Sequence, residues 1–379
     1  LKKGGENMEL TITAKIKILP NEEQKDLLLK TIQAIKDGMN YVSEVVFETK
    51  VLGQAKLIKM TYEELRLGYG LRSQMAQSVA RAVIARYKSV QSNGHPWTKI
   101  RFRKPEYDLV WNRDYSLTKG VFSVNTLDGR IKVPFETKGM EYFFDGTWRF
   151  GTAKLILKKG KYFLHIPMTK TFEDVDLNQI RNVVGVDLGV NFIATAYDSR
   201  GITTFFRGRW IKDKKAHFQR IRKSLQKRGT CSARRRLKAI GQRENRWMTH
   251  INHAVSKALV EKAGKNSLIV LENLEGVRSA TEKVRKRDRW YIVSWAFYQL
   301  RQMIEYKAKM NQSTVIVVDP KYTSQTCPKC GHTEKANRNK KKHIFRCRTC
   351  GYTSNDDRIG AMNLHRKGIE YLSAVTAQA

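Results

Sequence analysis

The chain has 379 residues, with 72 Lys and Arg against 35 Asp and Glu and a formal net charge of +37. Hydrophobic residues make up 41% and aromatics 10%, which excludes a disordered polyelectrolyte and leaves a folded protein of roughly two or three domains. A surface this basic repels itself unless it meets a polyanion, so DNA, RNA or an anionic membrane face are the partners to weigh.

No run approaches the ~18–20 apolar residues of a spanning helix. Residues 1–7 are polar with no apolar stretch behind them, which predicts no signal peptide and no membrane partner. Nucleic acid remains. Four of the five cysteines crowd into one short segment, unlike a disulfide framework, so a reducing, cytoplasmic setting is expected.

Residues 8–20 alternate apolar and polar and read as a strand. Asn21 and Gln24 then make a capping-box start, with Glu22 and Glu23 in the first turn. Behind them Leu28, Ile32, Ile35, Met39, Val42 and Val46 recur at spacings of three and four, one face of a long helix. Met75, Val79, Val83, Tyr87 and Val90 repeat the pattern. Both stripes read as ordinary core between helices.

From about residue 98 the period changes to two. WTKIRFRKP, GVFSVNTLDGRIKVPF and AKLILKKGKYFLHIPM look like strands and hairpins, with turns at Asp128-Gly129 and Lys159-Gly160. Arg and Lys alternate here with Phe, Tyr and Trp. Such a surface can offer cations to phosphates and rings to bases, though a half-buried sheet with solvated edges gives the same pattern.

A third organisation begins near Arg181. NVVGVDLGVN, FIATAYDS and ITTFFRG form a predicted three-stranded meander. A helical region from Trp210 to Ala263 follows, then a buried strand over Ser267–Leu271, a helix from Tyr291 to Met310 and a strand over Thr314–Val318. A cysteine segment and a final helix close the chain.

Cys327, Cys330, Cys347 and Cys350 are arranged as C-x2-C, sixteen residues, C-x2-C. Two residues between paired thiolates let a tight knuckle aim both sulfurs at one metal, and four thiolates complete a tetrahedral zinc site. Gly331 and Gly351 follow the second cysteine of each pair, where the knuckle wants a positive φ. Four thiolates leave no open position, so this zinc is expected to be structural. Cys231 reads as an incidental reduced thiol.

Asp187 ends an apolar strand, Glu272 repeats the situation in SLIVLENLEG, and Asp357 starts the closing helix. Unpaired burial of such charges is costly. Three acids at the ends of buried elements are what hard divalent cations need, and two Mg²⁺ ions about 4 Å apart can activate a water and stabilise the leaving oxygen of a phosphodiester. Asp356 competes with Asp357 as its chemically identical neighbour. Asp198 and Asp319 read as turn or cap residues.

GVDLGVN, LIVLENLEG, YTSQTCPKCG…FRCRTCGY and NDDRIGAMNL together closely resemble the TnpB family of insertion-sequence proteins. Those are compact RNA-guided DNA nucleases with a RuvC-like domain and a zinc ribbon, related to type V CRISPR effectors. The resemblance rests on residues 182–368. It puts the family's catalytic Asp, Glu and Asp at Asp187, Glu272 and Asp357, holding Mg²⁺, and its zinc ligands at the four cysteines. The family's last motif commonly runs D-x-N-A-A-x-N; here Ile359 and Gly360 replace the usual Asn and Ala.

Between Arg207 and Trp247 stand 16 Lys or Arg against two acids, Asp213 and Glu244, densest at Arg234, Arg235 and Arg236. Such a run is usually a solvated helix face, but between two catalytic acids it is expected to grip the phosphates of a guide–target duplex or displaced strand.

The fold expected is a multidomain α/β protein. A basic β-barrel would span 1–20 and 98–180, with a helical insertion at 21–97. An RNase-H/RuvC-like domain would span 181–322 and 353–379, and a zinc ribbon 323–352. The resemblance implies a Mg²⁺-dependent DNA endonuclease of a transposable element. Its expected partners are a structured guide RNA and double-stranded target DNA, cut beside a short flanking motif, with the protein monomeric in the prokaryotic cytoplasm and on its nucleoid. Two other readings stand beside it: an RNA-guided DNA-binding repressor with little cleavage, and a transposase-type strand-transfer enzyme.

Overall fold

The computed structural model describes residues 8–104, 106–189, 191–274 and 297–377. Residues 1–7, Val190, Glu275, Gly276 and the expected helix start at Tyr291 lie outside these. The chain forms two compact units, Glu9–Thr171 and, from Phe172, the remainder.

The first unit opens with β1 (Met8–Ile18) and three helices, α1 (Glu22–Thr49), α2 (Gln54–Leu67) and α3 (Ser73–Ser92). The capping box is present: the Asn21 side chain accepts from Gln24 N, and the Gln24 side chain accepts from Asn21 N. Leu28, Ile32, Ile35, Met39, Val42 and Val46 are all buried, as are Met75, Val79, Val83 and Tyr87. The α2 helix falls inside the expected helical insertion, in a stretch where no helical stripe had been picked out.

The strands that follow are β2 (Glu106–Leu109), β3 (Tyr115–Thr118), β4 (Val121–Thr126), β5 (Gly129–Glu136), β6 (Arg149–Phe150), β7 (Ala153–Lys158) and β8 (Lys161–Phe172). With β1 they form one eight-stranded sheet in the order β2-β7-β8-β1-β5-β4-β3, with β6 on β8. An isolated bridge between Trp111 and Tyr115 links the segments next to β2 and β3. The expected barrel is therefore a nearly closed sheet. Both predicted hairpins form: β4 pairs β5 and β7 pairs β8 in antiparallel register.

One expectation needs correction. The stretch from Trp97 to Lys104 alternates like a strand yet joins no sheet. Helix side chains take its backbone groups instead: Asn40 bonds both the N–H and the carbonyl of Phe102, Ser43 Oγ donates to Ile100 O, and Tyr87 OH accepts from Ile100 N. The groups of Ile100 and Phe102 that one side of a ladder would use are thereby already taken.

The second unit begins with β9 (Asn182–Asp187), β10 (Phe192–Asp198) and β11 (Thr203–Arg207), the meander expected. The helical region is three helices, α4 (Arg209–Arg228), α5 (Cys231–Ile240) and α6 (Arg243–Ala263), broken where Gly229 and Gly241 follow the first two. Then come β12 (Ser267–Glu272), α7 (Phe297–Met310) and β13 (Thr314–Val318). Three short strands, β14 (Arg338–Asn339), β15 (Ile344–Arg346) and β16 (Thr353–Asn355), form a separate small sheet before α8 (Asp356–Thr376).

The main sheet runs β11-β10-β9-β12-β13, with β12 parallel to β9 and to β13 and the meander antiparallel. The pleat sorts its two faces. Val184, Val186, Ile269 and Leu271 pack with Leu259 of α6 and Leu300 and Ile304 of α7. Val183, Leu268 and Val270 pack with Leu364 of α8. On that second face a Cβ on Gly185 would overlap the backbone of Ala361 and His365. Only glycine lets α8 lie so close to β9.

Candidate active site and metal centre

Asp187 is the last residue of β9 and Glu272 the last of its parallel neighbour β12. Leu271 stands opposite Val186, so the two acids emerge side by side at the same end of the sheet. Asp357 enters from α8, whose Asn355 cap accepts from the N–H groups of Asp357 and Arg358. By the pleat, Asp187 and Glu272 both point to the α8 face. The fold thus brings the three acids, far apart in sequence, together at one end of the sheet, where Asp187 feels the charges of the other two.

Electrostatics records their closeness. Burial pushes the Asp187 carboxyl well above its usual range, and the charges of Glu272, Asp357 and Asp356 push the same way, with Arg338 opposing. Glu272 is also raised by burial, tempered by a 2.6 Å hydrogen bond from Thr323 Oγ1 and by Lys367 and Arg338. Asp357 is raised by burial and by Asp356, against Arg338 and His343. Crowded, partly desolvated carboxylates of this kind are a donor set that a hard cation would relieve.

Asp356 differs from its neighbour. Its side chain is fully enclosed and ion-paired to Arg338 Nε at 2.9 Å, with His343 Nδ1 at 3.6 Å. It ties the small sheet to the start of α8. Asp198 and Asp319 behave as turn residues: Asp198 accepts from the N–H groups of Arg200 and Ile202, and Asp319 from that of Lys321.

The four cysteines converge. Cys327 and Cys350 sulfurs are 3.6 Å apart and those of Cys330 and Cys347 3.5 Å, too far for disulfides and close to the ~3.8 Å edge of a tetrahedron of zinc–sulfur bonds. Among the described residues they form the only group of three or more metal-capable side chains whose ligand atoms all lie within 4.8 Å. This cluster could hold a metal ion. The three acids are spread more widely. Gly331 and Gly351 have φ of +75° and +70°, as the knuckles require. Ile359 is buried among Cys327, Phe345 and Cys347.

Arg234, Arg235 and Arg236 lie exposed on α5, capped by Thr230, whose Oγ1 accepts from Ala233 N. Arg236 joins Lys214, His217, Arg243, Phe218 and Ile221 around a cavity of about 500 Å³. The stretch is not uniformly solvated. Burial pulls Lys215 down to about 8, and the buried Glu244 pairs with Arg222 at 2.5 Å.

Arg338, His343 and Thr323 were not singled out from the sequence. Arg338 sits in a run of Arg, Asn and Lys that looks like solvated surface. Asn363, buried on α8, was not singled out either; its Nδ2 donates to the carbonyls of Thr323 and Thr326 at 2.7 and 2.8 Å. It thereby anchors the segment that carries Glu272's partner.

Two family descriptions match this unit and the end of β8. "Probable transposase" covers residues 165–277, and "Cas12f1-like, TNB domain" covers residues 297–364. The CRISPR-associated endodeoxyribonuclease Cas12f1 of Syntrophomonas palmitatica is 30% identical over 65% of this chain and 52% of its own. A TnpB-like protein of Methanocaldococcus jannaschii is 28% identical over 62% of this chain and 83% of its own. InsQ of Escherichia coli, a putative RNA-guided DNA endonuclease, is 29% identical over 55% and 54%. The chain spans about half the length of the Cas12f relatives it matches. In fold it is similar to the Cas12f1 chain of a Cas12f1–sgRNA–target DNA complex, with TM-score 0.53 and 14% identity over 94% of this chain and 99% of that one. By these two segments and these relatives, the chain is a relative of the TnpB-like proteins and the Cas12f endodeoxyribonucleases.

Proposed function

We propose that this chain is an RNA-guided, Mg²⁺-dependent DNA endonuclease with a RuvC-like site made of Asp187, Glu272 and Asp357. The observation that carries the reading is the gathering of these acids on one face of the sheet, each shifted upward by burial or by its neighbours. The strand order of that sheet supports an RNase-H-like class, and the relatives' names support the activity.

In this reading the three carboxylates hold the cations, and their spread suits a pair of ions better than one. Bound Mg²⁺ supplies an activated water and charge relief at the leaving 3′ oxygen of the phosphodiester. Thr323 fixes the rotamer of Glu272 through its hydroxyl. Arg338 offsets part of the acids' mutual repulsion while holding Asp356 aside. The zinc ribbon braces the start of α8 and so the position of Asp357. Arg234, Arg235 and Arg236, with the rest of the basic stretch, grip phosphates of the guide–target duplex or the displaced strand without reading sequence. One such site cuts the two strands in turn, leaving 5′-phosphate and 3′-hydroxyl ends.

The test is cleavage of a plasmid bearing a guide-complementary target by the full chain, purified with its co-expressed flanking RNA. Mg²⁺-dependent cutting that falls on the order of 10³-fold or more in Asp187→Ala supports the reading. Guided binding with no cutting above the Asp187→Ala level would make the chain a targeting protein. Strand-transfer products formed without RNA would make it a transposase.

A further inference from the structure

Asp187 has a neutral neighbour for which the acidic cluster gives no reason. Thr195 of β10 stands directly opposite Asp187 in the antiparallel ladder. Directly opposed residues share a face of the sheet, with Cβ atoms about 5 Å apart. Here that face meets α8. Gly185, two residues before Asp187, abuts the backbone of Ala361 and His365, and Tyr197, two after Thr195, sets its ring edge-on to His365 at 5.3 Å.

Thr195 is fully buried, and its Oγ1 has no hydrogen-bond partner. Interiors rarely leave a hydroxyl so. Other buried hydroxyls of this unit show the usual solution: Ser256 donates to Asn252 O and Ser267 to Ala263 O, each at 2.6 Å. Valine has the shape of threonine and the same preference for strands, and would fill this position without an orphaned group. On the other side of the carboxylate stands Gly360, where a Cβ would lie 3.1 Å from Asp187 Cγ and Oδ2. The carboxylate is thus confined by α8 and faced across the ladder by an unused donor.

We infer that Thr195 is a positioning residue for the cation site, its hydroxyl donating to the Asp187 carboxylate when that acid holds a cation and fixing which oxygen faces the cleft. Partners of this kind, one step behind a ligand, set its orientation and basicity. The inference rests on the reading of Asp187 as a cation ligand.

The test is Mn²⁺ binding to the full chain by titration calorimetry, with Thr195→Val, Thr195→Ser and Asp187→Ala measured beside the native protein. Thr195→Val should weaken binding by roughly tenfold while Thr195→Ser restores it, with no fall in the melting temperature of the metal-free valine variant. If the valine variant does not fold, Thr195→Ala against Thr195→Ser gives the same contrast. Native-like binding by Thr195→Val alongside a loss in Asp187→Ala overturns the role of Thr195 and leaves the cation site standing. Native-like binding by Asp187→Ala overturns the site itself, and the inference with it.

Discussion

The second unit holds two centres that gather like groups in opposite ways. The cysteine centre draws four sulfurs from two knuckles of one short segment, and a single ion would satisfy all of them. The carboxylate centre draws Asp187, Glu272 and Asp357 from two strand ends and a helix start, and leaves them repelling one another. A saturated thiolate shell would serve folding, whereas crowded acids that only cations would relieve suit the chemistry proposed above. The two centres are also joined. Ile359, two residues after Asp357, packs on Cys327, Phe345 and Cys347, and Arg338 of β14 pairs with Asp356. The brace should therefore control the blade.

The largest way to break that contrast is to empty the cysteine centre. Structural zinc supplies on the order of 10 kcal/mol to a small ribbon, so a zinc-selective chelator in the presence of excess Mg²⁺ should unfold residues 327–355 and abolish cleavage by releasing the start of α8. Hydrogen exchange should rise across the ribbon and the first turns of α8 while the first unit keeps its protection. Cleavage that survives complete chelation would mean the two centres are independent.

A smaller break severs the second link. The Asp356 side chain is fully enclosed and that of Arg338 is 24% exposed. Arg338→Ala should therefore cost about 3 kcal/mol, most of it for a carboxylate left buried without its partner. Adding Asp356→Asn removes the stranded charge and should recover much of the loss. A double-mutant cycle read by thermal melting separates this pair from general damage to the ribbon.

The two centres also differ in how far the sequence reveals them. Cys327, Cys330, Cys347 and Cys350 carry their geometry in their spacing, because two intervening residues nearly determine where paired sulfurs point. Helix faces such as Leu28 to Val46 are equally local. Asp187, Glu272 and Asp357 could be selected as acids at the ends of apolar runs, but their meeting depends on β12 lying parallel to β9 and α8 crossing behind it. Periodicity contains none of that. It also misleads where side chains from elsewhere intervene: Trp97 to Lys104 alternates like a strand, yet Asn40, Ser43 and Tyr87 claim its backbone. Arg338 was hidden for a related reason, since only the buried partner distinguishes it from the lysines beside it.

The repulsion at the carboxylate centre can be read by pH. Asp187, Glu272 and Asp357 all have folded-state pKa values raised above their unfolded ones. Their stabilising contribution is therefore complete below the unfolded carboxylate range and is lost as pH rises through the raised values. Metal-free native protein should lose melting temperature over that rise relative to Asp187→Asn, which carries one fewer charge at the point of greatest crowding. Saturating Mg²⁺ should narrow the gap, because the cation supplies what the proton did. Parallel pH curves for the two metal-free proteins would show that the acids do not sense one another.

The smallest change tests how closely α8 presses on the cleft. Position 360 carries glycine, inside a helix where alanine is favoured by about 1 kcal/mol. The added methyl would lie 3.1 Å from Cγ and Oδ2 of Asp187, so the carboxylate must give by a few tenths of an ångström or the helix must lift. Stability and chemistry then move in opposite directions. Gly360→Ala should keep or raise the melting temperature, since the helix gains and a single carboxylate can turn aside. Cleavage should fall severalfold, because that turn takes an oxygen away from the position it shares with Glu272 and Asp357. A matching loss of stability would instead place the strain in α8 itself. Unchanged cleavage would show that the Asp187 carboxylate can shift by that distance without cost to the reaction.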